Sequence, residues 1–246
     1  MYQFFVEESY YNGKYITIEG SDFNHIKNVL RMKIGEEIRI SVENTGDFFC
    51  KIIEISDGLV TTEILSKDDA GTELSNKIYL FQGLPKGDKM ELIIQKAVEL
   101  GVYEIIPIRM KNCVMKLDEK RAAKKIDRWN GISLSAAKQS KRSIIPKVTE
   151  ILSWKDALIK ANELDITLVP YENEKGMEAT REYLSSIKKG QNIGIIIGPE
   201  GGFDSSEIEM VYESKNMKSI SLGRRILRTE TAGLATLSML IYQLDD

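Results

Sequence analysis

Residues 195–209 read IIIGPEGGFDSSEIE. An apolar run ends in Gly198, Pro199, Glu200, Gly201 and Gly202, then passes into a helix-start signal, Asp204 with Glu207 three positions later. A short β-branched run bounded by glycine is the pattern of a strand buried on both faces, which makes this a parallel strand of an α/β sheet. Ligands of open α/β sheets bind at the carboxyl ends of the strands, where this glycine loop falls. Glycines there let main-chain groups approach a ligand. The spacing is neither G-x-G-x-x-G nor G-x-x-x-x-G-K-[ST], and Glu200 would repel a pyrophosphate, so a nucleoside without phosphates fits better. A tight turn needing positive φ would call for the same glycines.

Working outward, residues 221–233, SLGRRILRTETAG, again end a strand with glycine and open a helix near Thr229. Two such loops at corresponding strand ends can enclose one ligand. Leu222, Ile226 and Leu227 would then sandwich an adenine ring beside Gly223, or else plug the underside of the sheet. Upstream, strand and helix alternate: IYLFQG (78–83), a helix opened by Asp88 with Glu91 as a capping box and closed by Gly101, EIIPI (104–108), and ITLVPY (166–171). A long helix from about 119 to 141 keeps Ala122, Ile126, Trp129, Ile132 and Ala136 on one stripe and cations on the other. The last helix is apolar almost all round, so its outer face is expected to be covered by a second subunit, with Leu240 in the interface.

The first 70 residues have another rhythm. Five short alternating segments separated by NG, NTG and SDG turns predict a small β-rich barrel, interrupted by one helix capped by Ser21 or Asp22. That helix and the chain after it present Lys27, Arg31, Lys33 and Arg39. The polar, acidic stretch 66–76 separates this domain, 1–70, from an α/β domain over 74–246 of about six strands.

The net charge of −3 conceals an uneven distribution. Residues 109–147 hold 12 Lys and Arg against 3 Asp and Glu, leaving 22 against 34 elsewhere. Such a basic stretch in an acidic protein is either a solvated helix face or one that meets phosphates. Cys50 and Cys113 lie far apart and His25 is the only histidine, so neither a disulfide framework nor a metal-ligand set is expected. No apolar run reaches the roughly 20 residues of a membrane span and no secretory pattern opens the chain, which predicts a cytoplasmic protein.

Five ordered blocks, HIKNVLRMKIGEEI (25–38), LPKGDKMELIIQKAVELGV (84–102), AAKQSKR (136–142), IIIGPEGGF (195–203) and SLGRRILRTETAG (221–233), together resemble the RsmE family of 16S ribosomal RNA methyltransferases in the SPOUT superfamily. The resemblance covers nearly the whole chain. It implies a PUA-like RNA-binding barrel followed by a trefoil-knotted parallel-sheet domain, a homodimer, and S-adenosylmethionine as cofactor without a metal. The implied reaction is methyl transfer to N3 of a uridine in the decoding region of the 16S rRNA of the small subunit. By position, Val169, Pro170, Gly198, Pro199, Glu200, Gly201, Leu222, Gly223, Ile226 and Leu227 would hold the cofactor. Lys27, Arg31, Lys33, Lys86, Lys124, Lys125, Arg128 and Lys138 would hold RNA. Arg142 and Arg228 would stabilise the uracil, and Glu230 or Glu200 would accept its proton. Methylation of a ribose 2′-oxygen or of guanine N1 by a related enzyme, and RNA binding without catalysis, are the competing readings.

Overall fold

A computed structural model describes residues 1–245, and its internal contacts separate into two units. The first comprises Met1–Glu73 and Ala137–Ile144. Its elements are β1 (Tyr2–Val6), β2 (Tyr15–Ile18), α1 (Gly20–Asn24) continued by a π-helical turn over His25–Val29, β3 (Glu37–Val42), β4 (Gly46–Ser56) and β5 (Leu59–Asp68). The strand order is β1-β3-β4-β5-β2, with β1 parallel to β3 and the other pairs antiparallel. Alternation along the strands turns Phe4, Ile16, Ile38, Ile40, Phe48 and Ile52 inward onto Ile26. Cys50 lies in the same core, and burial pushes its thiol up to about 11, as befits an inert packing residue.

Two expectations for this unit are corrected. Helix α1 starts at Gly20, with Glu19 at the cap position and no side-chain cap, so Ser21 and Asp22 lie inside its first turn, where Asp22 meets the Lys138 ammonium at 2.8 Å. Arg39 is not a surface cation: it is buried between Asp47 and Asp68, 2.9 Å from each, and donates to the Lys141 carbonyl. Asp47 also accepts from the hydroxyls of Ser41 and Ser143. These bonds bind residues 137–144 into the small unit.

The second unit takes in Leu74–Ala136 and the chain from Ile145 onward. It contains β6 (Lys77–Gly83), α2 (Lys89–Glu99), β7 (Glu104–Arg109), α3 (Glu119–Ser140, whose last turn lies in the first unit), β8 (Lys147–Val148), β9 (Leu152–Ser153), α4 (Trp154–Asn162), β10 (Ile166–Pro170), α5 (Glu178–Ser186), β11 (Asn192–Ile197), α6 (Ser205–Glu213), β12 (Met217–Ile220) and α7 (Thr229–Leu244). All its pairs are parallel, in the order β12-β10-β11-β6-β7-β8, with β9 beside β7. Because β10 lies between β11 and β12, the loops that leave these three strands emerge side by side.

Helix α2 lacks the expected capping box. Asp88 has φ −101° and ψ 11° and no side-chain cap bond, while Glu91 pairs with Arg128 at 2.8 Å. The box at Asp204 and Glu207 does form. Helix α4, capped by Ser153 through the Asp156 amide, went unassigned in the sequence. Helix α7 buries Thr229, Gly233, Thr236, Leu237 and Leu240 against α2, β11 and α5. Leu240 is fully buried in its own unit and so is not an interface residue, whereas Tyr242 on another face is 91% exposed. Among the described residues, no helix is long and apolar enough to cross a membrane.

Candidate active site

The loops after β10, β11 and β12 enclose two adjoining cavities. The larger, about 490 Å³, is lined by Lys86, Lys89, Pro170, Glu172, Ile197, Gly198, Pro199, Glu200, Gly202, Phe203, Ile226, Leu227, Arg228, Thr229 and Ala232. The smaller, about 100 Å³, is lined by residues of 170–174 and 221–227 with Ala232. Of the ten residues expected to hold a cofactor, Pro170, Gly198, Pro199, Glu200, Leu222, Gly223, Ile226 and Leu227 are brought to these walls. Ile226 is 86% exposed, an apolar side chain held open at the junction of both cavities.

Val169 and Gly201 do not line either cavity among the described residues. Val169 points into the core with Phe81 and Ile196, following the alternation of β10. Gly201 is small for an internal reason. A Cβ there would lie 2.9 Å from the Asn112 Cβ and 3.2 Å from its carbonyl oxygen, and the Asn112 amide donates to the carbonyls of Gly201 and Gly202 at 3.1 and 3.3 Å. The main chain approaches Asn112, where the sequence reading placed a ligand. Gly202 has φ +69°, and a Cβ there would come within 3.3 Å of the Glu172 carboxylate.

A buried relay joins the walls. The Gln82 amide donates to Thr229 Oγ1 at 2.9 Å, and the Thr229 hydroxyl donates to the Gly198 carbonyl at 2.7 Å. The end of β6, the first glycine loop and the start of α7 are therefore tied together. At the mouth, Lys89 Nζ lies 3.0 Å from Glu200 and 3.2 Å from Glu230. The Glu200 hydrogen bond, joined by Glu230 and opposed by desolvation, raises the Lys89 pKa. Desolvation pushes the Glu200 carboxyl upward, but its own amide, the Lys89 ammonium and the Lys86 amide outweigh it and hold it below the usual carboxylate range. Glu200 is thereby kept ionised and paired with Lys89. Sequence reasoning missed Lys89, Glu172, Gln82 and Asn112. Only Lys89, inside a matched block, carried any signal.

The cations divide. Arg228 lines the larger cavity, and Lys86 lines it while donating its amide to Glu200. Lys124, Lys27, Arg31 and Lys33 are exposed, with Lys27 also 5.3 Å from the Phe23 ring centre. Lys125, Arg128 and Lys138 pair with Asp88, Glu91 and Asp22. Arg142 is not in a cavity wall. Its side chain is 4% exposed within the small unit, and its guanidinium grips Glu73 through Nε at 2.8 Å and Nη2 at 2.5 Å. An arginine held this way positions chain.

Residues 72–241 match the family model described as an RNA methyltransferase domain, and residues 18–65 match an RNA methyltransferase PUA domain. The chain is 38% identical over 230 residues to ribosomal RNA small subunit methyltransferase E of Bacillus subtilis, covering 92% of this chain and 90% of that one. It is 37% identical to the protein of the same name from Mesomycoplasma hyopneumoniae, covering 98% and 99%. It also superposes with a TM-score of 0.84 on the crystal structure of a ribosomal RNA small subunit methyltransferase E from Neisseria gonorrhoeae bound to S-adenosyl methionine, at 30% identity and covering 99% and 98% of the two chains.

Proposed function

The chain belongs to the RNA methyltransferase family, and we propose that it transfers a methyl group from S-adenosylmethionine to N3 of a uridine in the decoding region of 16S rRNA within the small ribosomal subunit. The observation that carries this reading is the pair of adjoining cavities formed by the loops after three neighbouring strands. Their chemistry fits the cofactor: Leu222, Ile226, Leu227 and Ala232 offer apolar faces to an adenine, and the larger space leads to ionic groups. Bound there, S-adenosylmethionine supplies the methyl group and a sulfonium that leaves as a neutral thioether.

The chain's own residues must then orient the uracil and manage its imide proton. Arg228, on the wall of the larger cavity, faces the N3 anion and stabilises it, since Arg142 is committed to Glu73. Glu230 takes the N3 proton, leaving the anion that would accept the methyl group the cofactor supplies. Lys89 holds that carboxylate in place. Lys86, Lys124 and the exposed cations of the small unit bind RNA phosphates.

The same reading includes a trefoil knot in the C-terminal region, which leads α7 to its place against β11 and α2. It also includes a homodimer through the outer face of α7, and action in the cytoplasm on ribosomal subunits. The test is transfer of labelled methyl groups from S-adenosylmethionine to small subunits lacking the modification, followed by nucleoside analysis. We expect label in 3-methyluridine. Label on a ribose oxygen or on guanine N1 would replace the uracil reading.

A further inference from the structure

We infer that Glu172 recognises the ribose diol of the cofactor, an inference that rests on the methyltransferase reading above. Glu172 lines both cavities and stands where they meet. If the small cavity, with Leu222, Ile226 and Leu227 in its wall, takes the adenine and the large one the remainder, the ribose lies at that junction. A carboxylate is suited to such a position because its two oxygens accept from two vicinal hydroxyls, as acidic residues do in dinucleotide folds.

Two further observations support the assignment. The carboxylate rests 3.3 Å from where a side chain at Gly202 would begin, so the first glycine loop is left bare at the point where Glu172 packs onto it. The neighbouring acid on the same loop is otherwise engaged: Glu174 accepts from the hydroxyls of Ser219 at 2.6 Å and Tyr212 at 3.0 Å. Among the described residues, no cation or hydroxyl holds Glu172 in the same way. Its acceptors remain available to a ligand.

The experiment is titration calorimetry on the full chain with S-adenosylmethionine, with S-adenosylhomocysteine and with the 2′-deoxyribose analogue of the latter. Wild type is expected to prefer the ribose form by about tenfold, the scale of one hydrogen bond to a charged acceptor. Glu172→Ala should bind the two forms alike, and both more weakly than wild type binds the deoxy form, because it also loses the acceptor of the 3′-hydroxyl. A thermal melt will show whether the variant is folded. If Ala destabilises the loop, Glu172→Gln, which keeps the shape and loses the charge, should still narrow the preference. Equal weakening for both forms would make Glu172 a wall residue and overturn the proposal, as would no change. A loss confined to S-adenosylmethionine would show pairing with the sulfonium and overturn it too. If wild type binds none of these compounds, the methyltransferase reading itself falls.

Discussion

Gly201 shows how one residue type can serve two demands. Sequence pattern locates the glycine loop but not what approaches it, because an absent side chain leaves the same mark whether a ligand or a neighbouring residue fills the space. Here Asn112 fills it. Gly201→Val should therefore cost stability, about 1–3 kcal/mol by overpacking, before it affects a ligand. Chemical denaturation checks this, and unchanged stability with weakened cofactor binding would restore the direct-contact reading. Arg142 carries a parallel lesson. Its block matched the family pattern, yet its partner Glu73 lies 69 residues away, and no local periodicity records a contact that long. Arg142→Ala should destabilise the chain by about 2–3 kcal/mol, less than a fully buried pair because Glu73 is partly open to water. Arg142→Lys should not rescue it, since an ammonium cannot replace the forked geometry. A normal melt with slow single-turnover transfer would instead return Arg142 to the chemistry.

At the scale of elements, the pattern D-x-x-E occurs at Asp88 and at Asp204, and only the second becomes a capping box. The difference is conformational. Asp204 sits at φ −71° and ψ 150°, the extended state from which a cap side chain turns back onto the first helical turn, whereas Asp88 does not. Glu91 is drawn off by Arg128 from α3, a tertiary competitor the local sequence does not reveal. Alternation of strand and helix was legible because burial on two faces writes itself into apolar runs. The two-residue strands β8 and β9 are too short to leave a periodic signal. The cap at Asp204 also has a pH signature. The Lys111 ammonium, then the Ser206 hydroxyl and amide, lower its carboxyl from 3.8 to about 2. A depressed folded value means that the stabilisation is present above pH 3.8 and is lost as pH falls toward 2. Wild type should melt above Asp204→Asn at pH 5, and the gap should narrow below pH 3.8 to a small remainder at pH 2. A gap that persists undiminished at pH 2 would show that the charge is not what the cap contributes.

For the whole molecule, the question is what covers the outer face of α7. One face is accounted for inside the unit by Gly233, Thr236, Leu237 and Leu240. That explains how an all-round apolar sequence reads as an interface helix although Leu240 packs inside its own unit. Around the rest of the helix, Leu234, Ala235, Met239 and Ile241 are only partly buried, and Tyr242 is 91% exposed. A large aromatic left this open on an apolar helix is the kind of anchor that subunit interfaces use. A charge at Leu240 would disrupt the core of the unit, whereas Tyr242→Arg leaves that packing alone. We expect Tyr242→Arg to keep the wild-type melting profile at low protein concentration and to shift sedimentation toward monomer, by at least tenfold in the dissociation constant if the ring is an interface anchor costing about 2 kcal/mol or more when lost. Because α7 begins with Thr229 and Ala232 in the wall of the larger cavity, the monomeric variant should also bind the cofactor more weakly. A variant that sediments as wild type does would move the interface elsewhere, and the partly buried apolar residues of α7 would then need another covering.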